Sequence, residues 1–303
     1  MNNIKKLGLT ALAGSLVATS AYAGSLDVSG GASITYKSND ETEVNGNGFT
    51  MGDGITFSGS GDLDNGMTMS FTYIMDAAGT ESSHSIALDM GDNGTLKFGQ
   101  GGYGGLEAHD SKVPNAKEEA WDDLDGEANG QFTHATANTW AYNNSWGSVG
   151  VSAAYTQNGS GNASDSSWVL TYSDLVDGLV IGFGMGEDGT ASDDQTVYAT
   201  YAIGGVSLGW QKSDIDYTAS TSTDDTKTDI GVSFAVNEDL SLSWGQSETD
   251  LGGSSQDQED TGFSASYTMG SITVAAAANQ SDNVGGATTA EDSMKEVTVT
   301  FAF

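Results

Sequence analysis

The chain has no cysteine and no arginine, a single proline, and no long apolar run. Each shortage removes a class of protein. Without cysteine there is no disulfide framework, so stability has to come from ladder closure and burial. Without arginine, and with nine basic residues against 42 acids, the surface repels nucleic acid and attracts cations. No stretch reaches the ~20 consecutive apolar residues of a spanning helix, so any passage through a membrane is made by strands. One proline in 303 residues leaves long strands uninterrupted, because proline cannot donate to a ladder. Histidine is scarce as well. His84, His109 and His134 accompany no serine-nucleophile motif and no spaced ligand set, so the chain is not expected to be an enzyme or to carry a metal or cofactor.

What is present begins with an N-terminal segment that reads as a cleaved secretory signal. Lys5 and Lys6 precede a weakly apolar stretch, Leu7 to Ser20, and Ala21-Tyr22-Ala23 forms a small-x-small site before Gly24. The apolar stretch is too short to anchor the chain. Taking residues 1–23 from 303 leaves 280, with seven lysines against 42 acids, a net charge of −35.

Residues 24–303 read as sixteen short segments with one apolar face and one face of Ser, Thr, Gly, Ala or charge. In the first, Leu26, Val28, Ala32, Ile34 and Tyr36 alternate with Asp27, Ser29, Gly31, Ser33 and Thr35. The last, Val297, Val299, Phe301 and Phe303, keeps the period to the final residue. A period of two is the strand signature, but it does not separate a membrane barrel from a soluble sandwich.

The connections separate them. Seven are turn-like: Asp64-Asn65-Gly66, Asp92-Asn93-Gly94, Trp146-Gly147, Asp177-Gly178, Gly204-Gly205, Asn237-Glu238-Asp239 and Gly270. Eight are long and acidic, near 38–53, 76–82, 102–137, 158–165, 187–194, 214–227, 248–260 and 281–294. Short and long alternate throughout, the layout of an outer-membrane barrel with short periplasmic turns and long outer loops. The fold expected is all-β, a transmembrane antiparallel up-and-down barrel of sixteen strands. In lipid the apolar face must point outward and the sheet must close. The hydroxyl face then lines a lumen too wide for side chains to fill. Most tryptophans and tyrosines fall on the outer face, where they can form interfacial girdles. Tyr198 breaks that rule and is expected on the lumen wall, as are Lys37 and Lys97.

Connection 102–137 far exceeds a hairpin's need, and structureless loops of that length are usually functional. It holds Pro114 and sets Glu107, Asp110, Glu118, Glu119, Asp122, Asp123, Asp125 and Glu127 against Lys112 and Lys117. Asn115 to Leu124 has helical spacing, with Ala116, Ala120 and Leu124 on one side. Trp121 and Leu124 give the loop apolar anchors, so it is expected to fold into the barrel and narrow the pore. The five acids from Glu118 to Asp125 are the first candidates for an ion filter.

The strand number, the long connection after strand five, the stretch Asn138-Thr139-Trp140-Ala141-Tyr142 and the terminal Phe303 together resemble the general porins of Gram-negative bacteria, in the 16-stranded trimeric form of alphaproteobacteria. The resemblance spans the whole chain after residue 23. It implies a homotrimer with three pores in outer-membrane lipid, and a third loop folded inward as an acidic constriction. It further implies an assembly signal at Phe303, read by the barrel-assembly machinery. Such porins set arginines opposite the loop; this chain has none, which implies a weaker or more purely negative field.

The function expected is a passive, cation-preferring channel for small hydrophilic solutes. A substrate-selective channel is the alternative within the class, and an acidic calcium-binding surface protein or adhesin the alternative outside it. Asp122-Asp123-Leu124-Asp125-Gly126 brushes the calcium-loop pattern, but Trp121 stands where the first ligand belongs and no glutamate closes it. Weak calcium binding by acidic loops is all that pattern supports. A calcium-dependent β-helix would need a short regular repeat, and none is visible.

Overall fold

The structure is a computed structural model and describes residues 26–39, 47–76, 81–126, 137–157, 164–219 and 223–303. The expected signal segment lies outside these residues. Sixteen strands follow in chain order. They are β1 (Leu26–Asn39), β2 (Phe49–Asp62), β3 (Thr68–Asp76), β4 (Glu81–Asp89), β5 (Thr95–Gly99), β6 (Thr139–Trp146), β7 (Val149–Thr156) and β8 (Asp165–Tyr172). The second half comprises β9 (Leu179–Asp188), β10 (Ser192–Ile203), β11 (Val206–Tyr217), β12 (Asp225–Ala235), β13 (Leu240–Leu251), β14 (Gln258–Met269), β15 (Ile272–Asp282) and β16 (Glu291–Ala302). Each pairs antiparallel with its sequence neighbours, and β1 pairs with β16 to close the barrel. No helix among the described residues is long and apolar enough to cross a membrane.

Closure leaves no edge strand, which satisfies every ladder donor inside a lipid layer. The seam runs from Gly31 opposite Ala302 to Asn39 opposite Met294. Phe303 extends it: its N–H donates to Gly30 O at 2.9 Å, and Gly30 N–H donates to Phe303 O at 2.8 Å. The Phe303 ring stays 79 % exposed on the outer face. Short turns begin with left-handed glycines. Gly147, Gly204 and Gly270 have φ near +60° with open space around them, so a two-residue connection suffices.

The alternation read from the sequence holds along the strands. In β8 the buried and exposed positions alternate strictly over 165–170. Tyr36 faces Phe49 on the outer surface with ring centroids 4.8 Å apart, an aromatic cross-strand pair of the kind that steadies a sheet.

Two expectations are corrected. Several connections read as long loops are largely strand: only 189–191 join β9 to β10, and only 252–257 join β13 to β14. The strands run on beyond the apolar belt because polar cross-strand partners take over. Asp214 accepts from Gln195 Nε2 at 3.3 Å and from Thr226 Oγ1 at 2.8 Å. Asn115 to Leu124 forms no helix; it runs as bends and a turn, with Asp123 at φ +61°. Ala116 N and Lys117 N donate to the barrel wall, Glu119 N to the Asp122 carboxylate, and Asp122 N and Leu124 N to carbonyls three residues back, so no run of helical bonds forms.

On this geometry a charge in the middle of the apolar face should cost far more than one on the lumen face next to it. Val232→Arg is expected to lower the unfolding free energy in bilayers by about 2–4 kcal/mol, against less than half that for Ser233→Arg. Urea unfolding of both variants in lipid vesicles checks this.

Candidate functional site: the inner loop and the lumen wall

After β5 the chain turns inward and follows the inside of the wall. Its course is fixed by backbone N–H groups that meet inward-facing side chains. Gly105 N donates to Ser152 Oγ and Leu106 N to Ser167 Oγ, both at 3.0 Å. Lys112 N donates to Gln211 Oε1 at 2.7 Å, and Ala116 N to Ser243 Oγ at 2.9 Å. Lys117 N reaches Ser264 Oγ at 3.1 Å, and Asp125 N reaches Asp292 Oδ2 at 2.7 Å. The loop thus sweeps from β7 to β16 along the wall, with every anchor a Ser, Gln or Asp of the lumen face.

Side-chain size sets how closely it lies. Gly209, Gly231, Gly245 and Gly262 are cross-strand neighbours on β11 to β14 and form a bare belt beneath the loop. A Cβ at Gly209 would lie 2.5 Å from Pro114 Cδ, and one at Gly262 would lie 2.7 Å from Ala120 Cα. Apolar anchors flank the belt. Val113, Ala120, Trp121 and Leu124 cluster with Met294 of β16, and Leu106 packs with Val169 and Tyr198. These two groups are the buried apolar clusters of the described residues.

The candidate residues separate into three places. At the first end, Tyr198 is 3 % exposed on the wall and its hydroxyl lies 2.7 Å from His109 Nδ1. Burial, and then the neighbouring Lys112, push His109 down to about 4, so the ring is neutral at pH 7 and accepts from the tyrosine or donates to it. Glu107 and His109 belong to a 3₁₀ turn, with Asp110 next in chain. At the second place, Lys97 stands on the wall with its Nζ 3.3 Å from the Tyr103 ring centroid.

At the third, acids and lysines interleave. Lys37 pairs with Asp123 and lies 3.5 Å from Glu296; Lys117 pairs with Glu118 and Glu296. The carboxylates of Glu118, Asp123 and Glu296 come within 4.8 Å of one another and could in principle hold a cation, but the two ammonium groups already occupy the space between them. Asn279 Nδ2 ties the segment down, 3.0–3.2 Å from Glu118 Oε1, Glu119 O and Asp122 O. Burial, then the hydrogen bond and charge of Glu119, push Asp122 up to about 7. Burial also raises Glu118, against the pull of Lys117. Glu127 and His134 lie outside the described residues.

Asn279, Glu296, Lys227 and the serine anchors escaped the sequence reading. The glycine belt had a signal: each of its glycines interrupts an otherwise apolar-alternating strand at a lumen-facing position.

A closed barrel of sixteen two-faced strands, with a polar interior traversed by one long loop, defines an outer-membrane channel. The sequence profile of Gram-negative porins matches residues 8–303. The chain belongs to the Gram-negative porin family, a family of channels. Comparison with curated proteins gives no match. Among solved structures the chain is similar to a porin refined at 1.8 Å resolution, with 18 % identity, TM-score 0.71, and 92 % of this chain and 100 % of that one covered. It is similar to OmpT, an outer membrane protein of Vibrio cholerae, at 12 % identity and TM-score 0.70, covering 92 % and 98 %. It is also similar to the anion-selective porin of Comamonas acidovorans, at 12 % identity and TM-score 0.68, covering 92 % and 100 %.

The belt predicts a contrast between two glycines. Gly209→Ala drives a methyl into Pro114 and should destabilise by about 1–3 kcal/mol, the usual cost of overpacking. Gly245→Ala meets the Ala120 methyl at 3.4 Å and Ile230 O at 3.5 Å, both ordinary contacts, and should be close to neutral. Thermal unfolding in detergent compares the two.

Proposed function

We propose that the protein is a passive, water-filled channel for small hydrophilic solutes and ions, with a preference for cations set by the acids of loop 102–137. Glu118, Glu119, Asp122, Asp123 and Asp125 are the principal filter, and Glu107, Asp110 and Glu127 contribute less. The single observation behind this is that the acidic segment lies against the lumen wall while its charge exceeds that of its lysine partners. Fixed charge acts on mobile ions over about one Debye length, ~8–10 Å at physiological salt. The Comamonas porin of similar fold is anion-selective, so the fold leaves the sign open and side chains must decide it. On this reading the chain is exported with loss of residues 1–23, and the barrel-assembly machinery reads its last strand and Phe303. No catalytic step is assigned.

The test is the reversal potential across a potassium chloride gradient. The native pore should favour potassium, and changing the five acids to their amides should abolish most of that preference. An anion-selective native pore, or a preference untouched by the five changes, would refute the filter.

The preference should also depend on pH. The carboxyl of Asp122 in the docked loop holds its proton well above the ordinary range of 3.8, to about 7. Its contribution to docking is therefore full below pH ~4 and is lost as pH rises through about 7, where its charge appears. Cation preference should rise between pH 6 and 8, and Asp122→Asn should remove that rise.

The working unit is proposed to be a homotrimer. The run Ala275-Ala276-Ala277-Ala278 on β15, beside the closing strand, presents outward methyls at alternate positions and suits close packing between copies. Native mass measurement in mild detergent should return three chains. A monomer that still conducts would refute the trimer and leave the channel intact.

A further inference from the structure

Behind loop segment 120–125 the wall carries a buried polar row that channel formation alone does not require. Asp229, Ser247, Asp260, Ser281 and Asp292 are successive cross-strand neighbours on β12 to β16. One step outward along the strands, Lys227 faces Thr249, which faces Gln258. All of these side chains are buried between loop and wall.

Lys227 is the anomaly. It is 6 % exposed, and among the described residues its Nζ finds no hydrogen-bond acceptor. Burying an ammonium without such a partner is costly. The buried carboxylates of Asp229 and Asp260 act on its charge from the wall, and the face of Trp121 covers it from the loop, with Nζ 3.8 Å from the ring centroid. Trp121 is itself only 2 % exposed and belongs to the loop. The indole therefore adds to the compensation those carboxylates give, and it covers the ammonium on the loop side. Asp122, Asp123 and Asp125 follow within four residues, three of the five acids assigned above to the filter.

We propose that Lys227 and Trp121 form a cation–π clamp that determines charge selectivity, pinning the acidic loop segment to the wall while keeping the wall's ammonium covered from passing ions. The clamp deepens the channel reading and rests on it for its effect on selectivity. Its effect on loop position does not depend on that reading. Lys227 is a positioning residue, acting on ions through the loop it holds.

The absence of cysteine makes the test direct. Leu124 is buried against Met294 behind the loop, so Leu124→Cys reacts with a thiol reagent only when the segment lifts. In that background, Lys227→Met should raise the labelling rate roughly 2- to 30-fold, the span of cation–π strengths. Lys227→Arg should leave it near the parent rate. Trp121→Leu keeps apolar fill without the ring face, and should match Lys227→Met. The double variant should label no faster than either single, since both remove one interaction. A role in packing alone predicts the opposite: Trp121→Leu close to the parent, and additive effects. That result, or an unchanged rate in Lys227→Met, would overturn the clamp.

Selectivity supplies the second arm. Lys227→Met should lose cation preference by reversal potential, and an added disulfide between Ala120→Cys and Gly245→Cys should restore it. The two β-carbons stand 3.4 Å apart, at the short edge of the ~3.5–4.5 Å that a disulfide spans. Failure of the disulfide to restore preference, once labelling has shown the loop loosened, would remove the selectivity claim. A native pore with no cation preference would refute the filter, while the labelling rates would still decide the clamp.

Discussion

A loop laid inside a barrel carries backbone N–H groups away from bulk water, and each must find a partner. The rest of this structure depends on how that need is met. Ser152, Ser167, Gln211, Ser243, Ser264 and Asp292 each accept from a loop N–H. They come from six different strands, so the loop has a fixed course only once the barrel has closed. An unpaired buried donor costs about 1–3 kcal/mol, while a typical paired one stabilises by about 1 kcal/mol net. The wall serines matter chiefly because leaving any loop donor unmet would lift that part of the loop.

The location of the apolar core follows from the same constraint. A membrane barrel turns its large apolar residues outward, where Phe303, Met51 and Leu26 stand exposed to the bilayer. Inside, apolar burial survives where the loop meets the wall, through Trp121, Leu124 and Met294 at one end and Leu106 and Val169 at the other. The glycine belt between these ends makes the two layers close enough to touch. Small wall residues and apolar loop residues are therefore one device: the belt removes side chains so that the loop can supply them.

The barrel was legible because period-two alternation is repeated sixteen times and short turns carry their own residue signatures. Tyr198, singled out as an aromatic among hydroxyl positions, lies buried beside His109, and Lys37 and Lys97, singled out by parity, meet Asp123 and Tyr103 of the loop. The loop's anchors were not, because nearly every lumen position is Ser, Thr, Asn or Gln and nothing marks those that meet the loop. Glu296 needed the seam register, in which it faces Lys37 from the opposite end of the chain. Lys227 lay at the edge of a segment read as loop, and only the extension of β12 sets it on the wall. The helix read over 115–124 failed for a related reason. Ala120 and Leu124 are buried as the spacing suggested, yet Ala116 N and Lys117 N bond outward to the wall, and Asp123 adopts a left-handed φ of +61° that breaks any helical run.

The sign of the charge that ions meet depends on which cations are covered, more than on how many there are. Lys37 and Lys117 are taken up by Asp123, Glu118 and Glu296. Lys97 lies over Tyr103 and Lys227 over Trp121, each ammonium facing an aromatic ring. Lys212 stands beside Asp214, and Lys295 alternates outward from the buried Met294 and Glu296. Lys112 turns its Nζ onto the carbonyl of Ala108 at 2.8 Å within its own loop. Every lysine from Lys37 onward is thus paired, stacked, folded back or turned away from the lumen. On the proposed reading, few basic residues leave the acids to set the sign of the interior only when they are placed this way, and the rings share that work with carboxylates, as Trp121 does with Asp229 and Asp260 around Lys227.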